Sequence, residues 1–155
     1  MNSVIMKDGI CQTSLSRRDG QSLVEFALIL PLFVLFIIGI FELGRAFFSF
    51  IAITNAAREG ARVVTFWPGK VTLANVNTAV ETEIGNSPMV KWSNVIQPIV
   101  IQCGSPLAAV TLDSQLKACP SEAPIRVSVT YRFDLIFQFF SSPFLMTRSI
   151  EMMVP

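Results

Sequence analysis

Histidine is absent from this 155-residue chain. With it go His-based catalytic triads, an imidazole acid–base group and the common His-containing zinc sites. Charge is scarce as well: 15% of residues are charged, and 12 cations against 11 anions leave a net charge of +1. That balance supplies no extended basic surface to neutralise many phosphates, so nucleic acid is not an expected partner. There is no Gly-rich phosphate loop, no Gly-x-Ser-x-Gly elbow, no paired-aspartate ligand cluster and no internal repeat. Asp113, Glu122 and Asp134 are isolated acids, each expected at the surface. The sequence therefore reads as that of a protein that is not an enzyme, with no catalytic residue, metal or cofactor.

Cysteine is sparse, at Cys11, Cys103 and Cys119, with no Cys-x-x-Cys pattern to favour a metal. Cys11 precedes the main apolar segment; Cys103 and Cys119 lie far beyond it. On an oxidising side of a membrane those two can pair, closing a loop worth up to ~3 kcal/mol in the chain-entropy model. Left reduced and buried, they would act as small hydrophobes. The disulfide between Cys103 and Cys119 is the expected state, although a spacing of sixteen does not fix its geometry.

What the chain has in excess is apolar surface. The apolar share is 52% and the mean hydropathy +0.56. The excess is concentrated in Leu23–Phe41, 19 residues that contain a single charge, Glu25. As a helix this tract spans roughly 28 Å, close to the ~30 Å hydrocarbon thickness of a bilayer. Lys7, Arg17 and Arg18 precede it, and positive charge before a first span holds the N-terminus in the cytoplasm. Glu42 and Arg45, three apart at its far end, can pair at the interface. A cleaved secretory signal would need a shorter core and a small-x-small exit; Glu42-Leu43-Gly44-Arg45 is a poor one. Pro31 removes a hydrogen bond to the Ala27 carbonyl and should kink the helix, which bilayer segments tolerate.

The entry to the tract reads Arg17-Arg18-Asp19-Gly20-Gln21-Ser22-Leu23-Val24-Glu25-Phe26. A carboxylate at membrane depth is costly and usually has a partner or a function. The plainer account of Glu25 is an interfacial carboxylate that snorkels towards the headgroups. Gly20 to Phe26, however, resembles the substrates of prepilin peptidases, which cut after the Gly and leave Glu as the fifth mature residue. Glu followed by an aromatic is similar to the Flp (Tad) branch. Downstream come Glu42-Leu43-Gly44-Arg45 and then Asn55-Ala56-Ala57-Arg58-Glu59-Gly60-Ala61-Arg62. Their order and spacing resemble the TadE-like family of minor pseudopilins. The resemblance is specific over Arg17 to Val64 and loose beyond it.

That resemblance implies cleavage between Gly20 and Gln21, after which Glu25 pairs with the new amino group at Gln21 of its own chain or of a neighbour. It implies a location in the inner (cytoplasmic) membrane, as a single-pass protein whose C-terminal domain is extracytoplasmic. The implied partners are a prepilin peptidase, other pilins and pseudopilins, the Tad inner-membrane machinery and membrane lipid. The implied role is Flp pilus assembly or cell adhesion. The competing class is a signal-anchored envelope enzyme or ligand-binding module.

Beyond the tract, Leu43, Phe47, Phe50, Thr54, Ala57, Ala61 and Val64 recur at steps of three and four. They predict one mostly apolar helical stripe, with Glu42, Arg45, Ser49, Glu59 and Arg62 largely opposite. The helix should run to about Thr65, where Pro68-Gly69 follows. Ala56-x-x-x-Gly60 and Ala57-x-x-x-Ala61 offer surfaces that another backbone or a sheet can approach closely. Arg58, Glu59 and Arg62 fit either a solvated face with local ion pairs or contact with a neighbouring subunit. A short helix is predicted over Val71–Ile84, with Gly85 as its stop. Asn94–Cys103 reads as a strand in which Pro98 marks an edge or a bulge. Ile125–Leu135 is the clearest strand, alternating apolar and polar residues throughout. Leu145–Val154 is a weaker one that could pair back antiparallel. Between those two strands, the Phe-rich Ile136–Phe144 either plugs the core or forms an exposed patch that touches membrane or another subunit.

The expected fold is α+β and pilin-like. A cytoplasmic leader occupies residues 1–20, a transmembrane helix 21–41 and an amphipathic extension 42–66. An extracytoplasmic domain at 67–155 holds one short helix and an antiparallel sheet of three or more strands.

Overall fold

The computed structural model describes residues 17–136 and 143–155, with side chains described from residue 21 onward. Cys11, most of the expected leader, and Phe137, Phe139 and Phe140 lie outside the described residues. The chain divides into two compact units, Met1–Ile40 and Phe41–Pro155. One helix, α1 (Arg17–Phe66), contributes to both and is helical through Pro31.

In the first unit every side chain from 21 to 37 is exposed. An apolar helix that buries nothing against the other described residues needs an apolar surrounding. Among the described residues this is the one helix long and apolar enough to cross a membrane, with a mean hydropathy of 2.8 over its richest window.

The second unit is a layer of helices on one face of a sheet. Its strands are β1 (Val95–Cys103), β2 (Ala108–Val110), β3 (Pro124–Phe133) and β4 (Phe144–Met153). They form an antiparallel sheet in the order β2-β1-β3-β4. Strand β3 keeps the alternation its sequence announces. Ile125, Val127, Val129, Tyr131 and Phe133 are buried, whereas Ser128 and Thr130 meet Ser149 and Thr147 across the outer face. Arg126 pairs there with Glu151 at 2.8 Å. In β1, Ile96 pairs with Thr130 and Val100 with Ser128, so two extra residues bulge out around Pro98. Pro98 therefore marks a bulge, in a stretch of β1 that β2, paired only with Ile101–Cys103, leaves open on its other side; both an edge and a bulge tolerate the missing amide donor.

Helix α2 (Leu73–Gly85) starts at a reciprocal cap: Thr72 Oγ1 accepts from the Asn75 N–H, and the Thr72 N–H donates to Asn75 Oδ1. Val76, Val80 and Ile84, one turn apart, are fully buried. Two short elements had no clear sequence signal: β2 and a five-residue helix, α3 (Asp113–Lys117). Cys103, at the end of β1, and Cys119, after α3, are joined by a disulfide, with Cα atoms 6.1 Å apart.

The predicted stripe on α1 needs one correction. Its later half holds: Ala57, Ala61 and Val64 are buried. In its earlier half Leu43 is 71% and Phe47 64% exposed, while Ser49 is 2% exposed. Ile53 apart, which is fully buried, the helix turns mostly small side chains towards the sheet. Ser49, Ala52, Ala56, Ala57, Gly60 and Ala61 let the strands come close, as small residues do at tight packing faces generally.

Candidate functional site

The residues singled out by sequence occupy two places on α1. The first lies near its start. Gly20 and Gln21 sit in the opening turns of the helix. One turn on, Gln21 Nε2 donates to Glu25 Oε1 at 3.4 Å, since residues four apart share a helix face. Glu25 and Phe26 are both exposed, Phe26 to 63%. The carboxylate thus stands on an uncovered stretch of helix, one turn beyond Gln21.

The second place is Asn55–Arg62, and here the structure separates two roles. Ala56, Ala57 and Ala61 are fully buried against the domain core. Gly60 is where α1, α2 and β3 meet. A Cβ at this position would lie 2.8 Å from Val80 Cγ2, 3.3 Å from Val127 Cγ1 and 3.4 Å from Val76 Cγ1. The small half of the motif is packing. The polar half points away: Asn55, Arg58 and Arg62 are exposed, and Glu59 is half-buried. Arg62 clasps Glu59 with two bonds, Nε to Oε2 at 2.7 Å and Nη2 to Oε1 at 2.6 Å. This bidentate bond holds the Glu59 carboxyl below its ordinary pKa and raises that of Arg62. The Arg62 guanidinium also lies 5.4 Å from the Phe66 ring centre. Arg58 forms no ion pair among the described residues.

Sequence reasoning paired Glu42 with Arg45 but missed what they hold. Arg45 Nη1 meets Glu42 Oε2 at 2.7 Å, with both side chains largely covered. The other Glu42 oxygen accepts from the Ile136 N–H at 2.7 Å. Arg45 Nη2 reaches the Asp134 carbonyl at 3.5 Å, and its guanidinium lies 5.1 Å from the Phe133 ring centre. The pair fastens the end of β3 to the helix. Its partners are backbone groups, which carry no sequence signature. Arg148, on the inner face of β4, was also missed: its Nε donates to Thr54 Oγ1 at 3.2 Å, and it lies 4.5 Å from the Phe50 ring centre.

No group of three His, Cys, Asp or Glu side chains able to hold a metal ion comes together among the described residues. Open surface hollows occur among the described residues. One is lined by Arg45, Lys91, Asn94, Tyr131 and Asp134, a rim of mixed charge.

Residues 20–62 match the family model described as TadE-like protein. The match opens at Gly20 and closes at Arg62, so it covers the exposed apolar helix and both places described above. No curated protein and no solved structure matches the chain.

Proposed function

We propose that this chain, TadE-like over residues 20–62, works as a single-span, membrane-anchored pilus-assembly component of a Tad (Flp) type system, a minor pseudopilin. The observation that carries the reading is the exposed helix from 21 to 37, which bears one carboxylate a single turn after Gln21. A structural role follows from such a helix. It presents a continuous apolar surface to lipid and to other helices, and the domain built on its outer half carries no acid–base or nucleophilic constellation among the described residues.

In this reading the Arg17-Arg18 leader stays cytoplasmic and a prepilin peptidase cuts between Gly20 and Gln21. The new ammonium at Gln21 then pairs with Glu25 of the same chain or of an adjacent subunit. Two charges that are each costly in a low-dielectric surrounding are offset together. The domain beyond Phe41 faces outward, where Cys103 and Cys119 meet an oxidising environment. Other pilins, pseudopilins and the inner-membrane Tad machinery are the partners.

Mass spectrometry of the protein from membranes of its native host tests the first step. The expected N-terminus is Gln21, and Gly20→Ala should leave the longer precursor. An intact Met1 rejects processing and favours a signal-anchored envelope module. Glu25→Gln tests the second step: insertion and cleavage should persist while co-purification with pilus components is lost. Undiminished co-purification and piliation would falsify the pairing role.

A further inference from the structure

The second unit has a direction, set by what each strand meets along α1. Val127 lies against Gly60, Arg148 (opposite Val129) against Thr54, Phe133 against Arg45 and Ile136 against Glu42. The β3–β4 hairpin therefore runs back along the helix. Ile136, just past the end of β3, arrives at Glu42, the first residue beyond the apolar tract. The disulfide and β2 sit at the opposite end, where Cys103 pairs with Ile125 and with Ala108.

At the hairpin's connecting end large apolar side chains are uncovered. Ile136 is 55%, Phe144 60% and Leu145 54% exposed, and on the helix Phe41 at 57% and Leu43 at 71% flank the Glu42 that holds Ile136. The charges around them are already matched. Glu42 is bonded to Arg45 at 2.7 Å, and Asp134 faces Arg132 at 3.6 Å while accepting from Asn94 Nδ2 at 3.0 Å. Lys91 adds a cation beside Arg45 and Asp134. An end with exposed Ile, Phe and Leu, paired acids and an extra cation has the chemistry of a surface that enters the headgroup zone of a bilayer.

We propose that this end, formed by Phe41, Leu43, Ile136, Phe144 and Leu145, seats in the outer headgroup layer as a second membrane contact of the protein, and that its occupant is lipid. The inference rests on the reading of α1 as a membrane span. Chain continuity supplies the depth: Ile40 ends the first unit, Glu42 is two residues on, and its side chain is bonded directly to the Ile136 backbone. The hairpin end is thus held within one side-chain length of the boundary where the apolar tract stops.

The test uses the full chain in vesicles of phosphatidylethanolamine and phosphatidylglycerol, with Cys11→Ser and the native disulfide left intact. Nitroxide labels are placed singly at Leu145→Cys, at Leu35→Cys within the span, and at Ala109→Cys on exposed β2. All three positions are exposed, so labelling leaves the core untouched. Collision with dissolved oxygen, which partitions into lipid, is compared with collision with a water-soluble nickel chelate. The expected oxygen-to-nickel ratio is high at 35, several-fold higher at 145 than at 109, and lowest at 109. A high ratio at 35 with an aqueous ratio at 145 overturns the proposal and leaves the span standing. Shielding of 145 from both reagents also overturns it, in favour of a protein neighbour. An aqueous ratio at 35 removes the span itself, and this inference with it.

Discussion

Replacing Gly60 by alanine adds one methyl group where three valines already meet. In an unobstructed helix the change would be favourable, by about 0.8–1 kcal/mol, because alanine loses less backbone freedom than glycine. Here the new Cβ falls 2.8 Å from Val80 Cγ2, well inside contact distance. Val80 is fully buried on α2, and a β-branched side chain in a helix is held to essentially one rotamer, so the methyl cannot swing away. Val127 at 3.3 Å and Val76 at 3.4 Å close the other directions. Overpacking of this kind costs about 1–3 kcal/mol, which leaves Gly60→Ala destabilising by roughly 0–2 kcal/mol. Gly44 is the internal control: on the same helix, with nothing within 4 Å of its would-be Cβ, its alanine variant should be more stable than the parent. Urea unfolding of the detergent-solubilised chain, followed by tryptophan emission, measures both. The two variants should lie about 1–3 kcal/mol apart. Combining Gly60→Ala with Val80→Ala should cost less than the sum of the single changes, by about 0.5–3 kcal/mol. Equal stabilisation by Gly60→Ala and Gly44→Ala would refute the close helix–helix–sheet approach.

Two further outcomes follow from the second unit. Replacing Cys103 and Cys119 together by serine frees a 16-residue separation and should cost about 3 kcal/mol in the chain-entropy model; the same urea midpoint with and without reductant would contradict the cross-link. The Glu59 carboxyl is held below its ordinary value of 4.5, so its contribution to stability is present above that value and is lost as pH falls through the lowered pKa. Glu59→Gln should therefore flatten the acid limb of the stability profile, and an unchanged limb would show that the clasp with Arg62 does not matter.

Much of this fold was readable in advance because the patterns were long. The alternation from Ile125 to Phe133 survives as β3, and Val76, Val80 and Ile84 keep the one-turn spacing that announced α2. The exposed tract after Gly20 and the Gly20–Glu25 spacing were equally plain, since a run of apolar residues broken by one carboxylate has few readings. Strand β2 and helix α3 went unseen because three and five residues are too short for a period to establish itself. The orientation of α1 between Leu43 and Phe50 was misread for a different reason. Apolar periodicity finds the greasiest face, but the domain took the smallest one, and Ser49 lies inward while Phe47 does not. The fastening of Glu42 and Arg45 to Ile136 and Asp134 depends on backbone groups, to which residue identity is blind.

The free margin of β4 bears on how the domain behaves among copies of itself. A ten-residue outer strand whose far side pairs with no other strand among the described residues invites a foreign strand to extend the sheet, and proteins confined to a membrane meet their own kind at high local density. Arg148 interrupts that invitation. It faces inward midway along the strand, and its guanidinium is already engaged by Thr54 and the Phe50 ring. A strand laid alongside would have to bury its own inner side chain next to this charge, and inward-pointing charges are one of the ways natural sheets discourage edge-to-edge growth. The margin can thus stay open to solvent without becoming a template for aggregation.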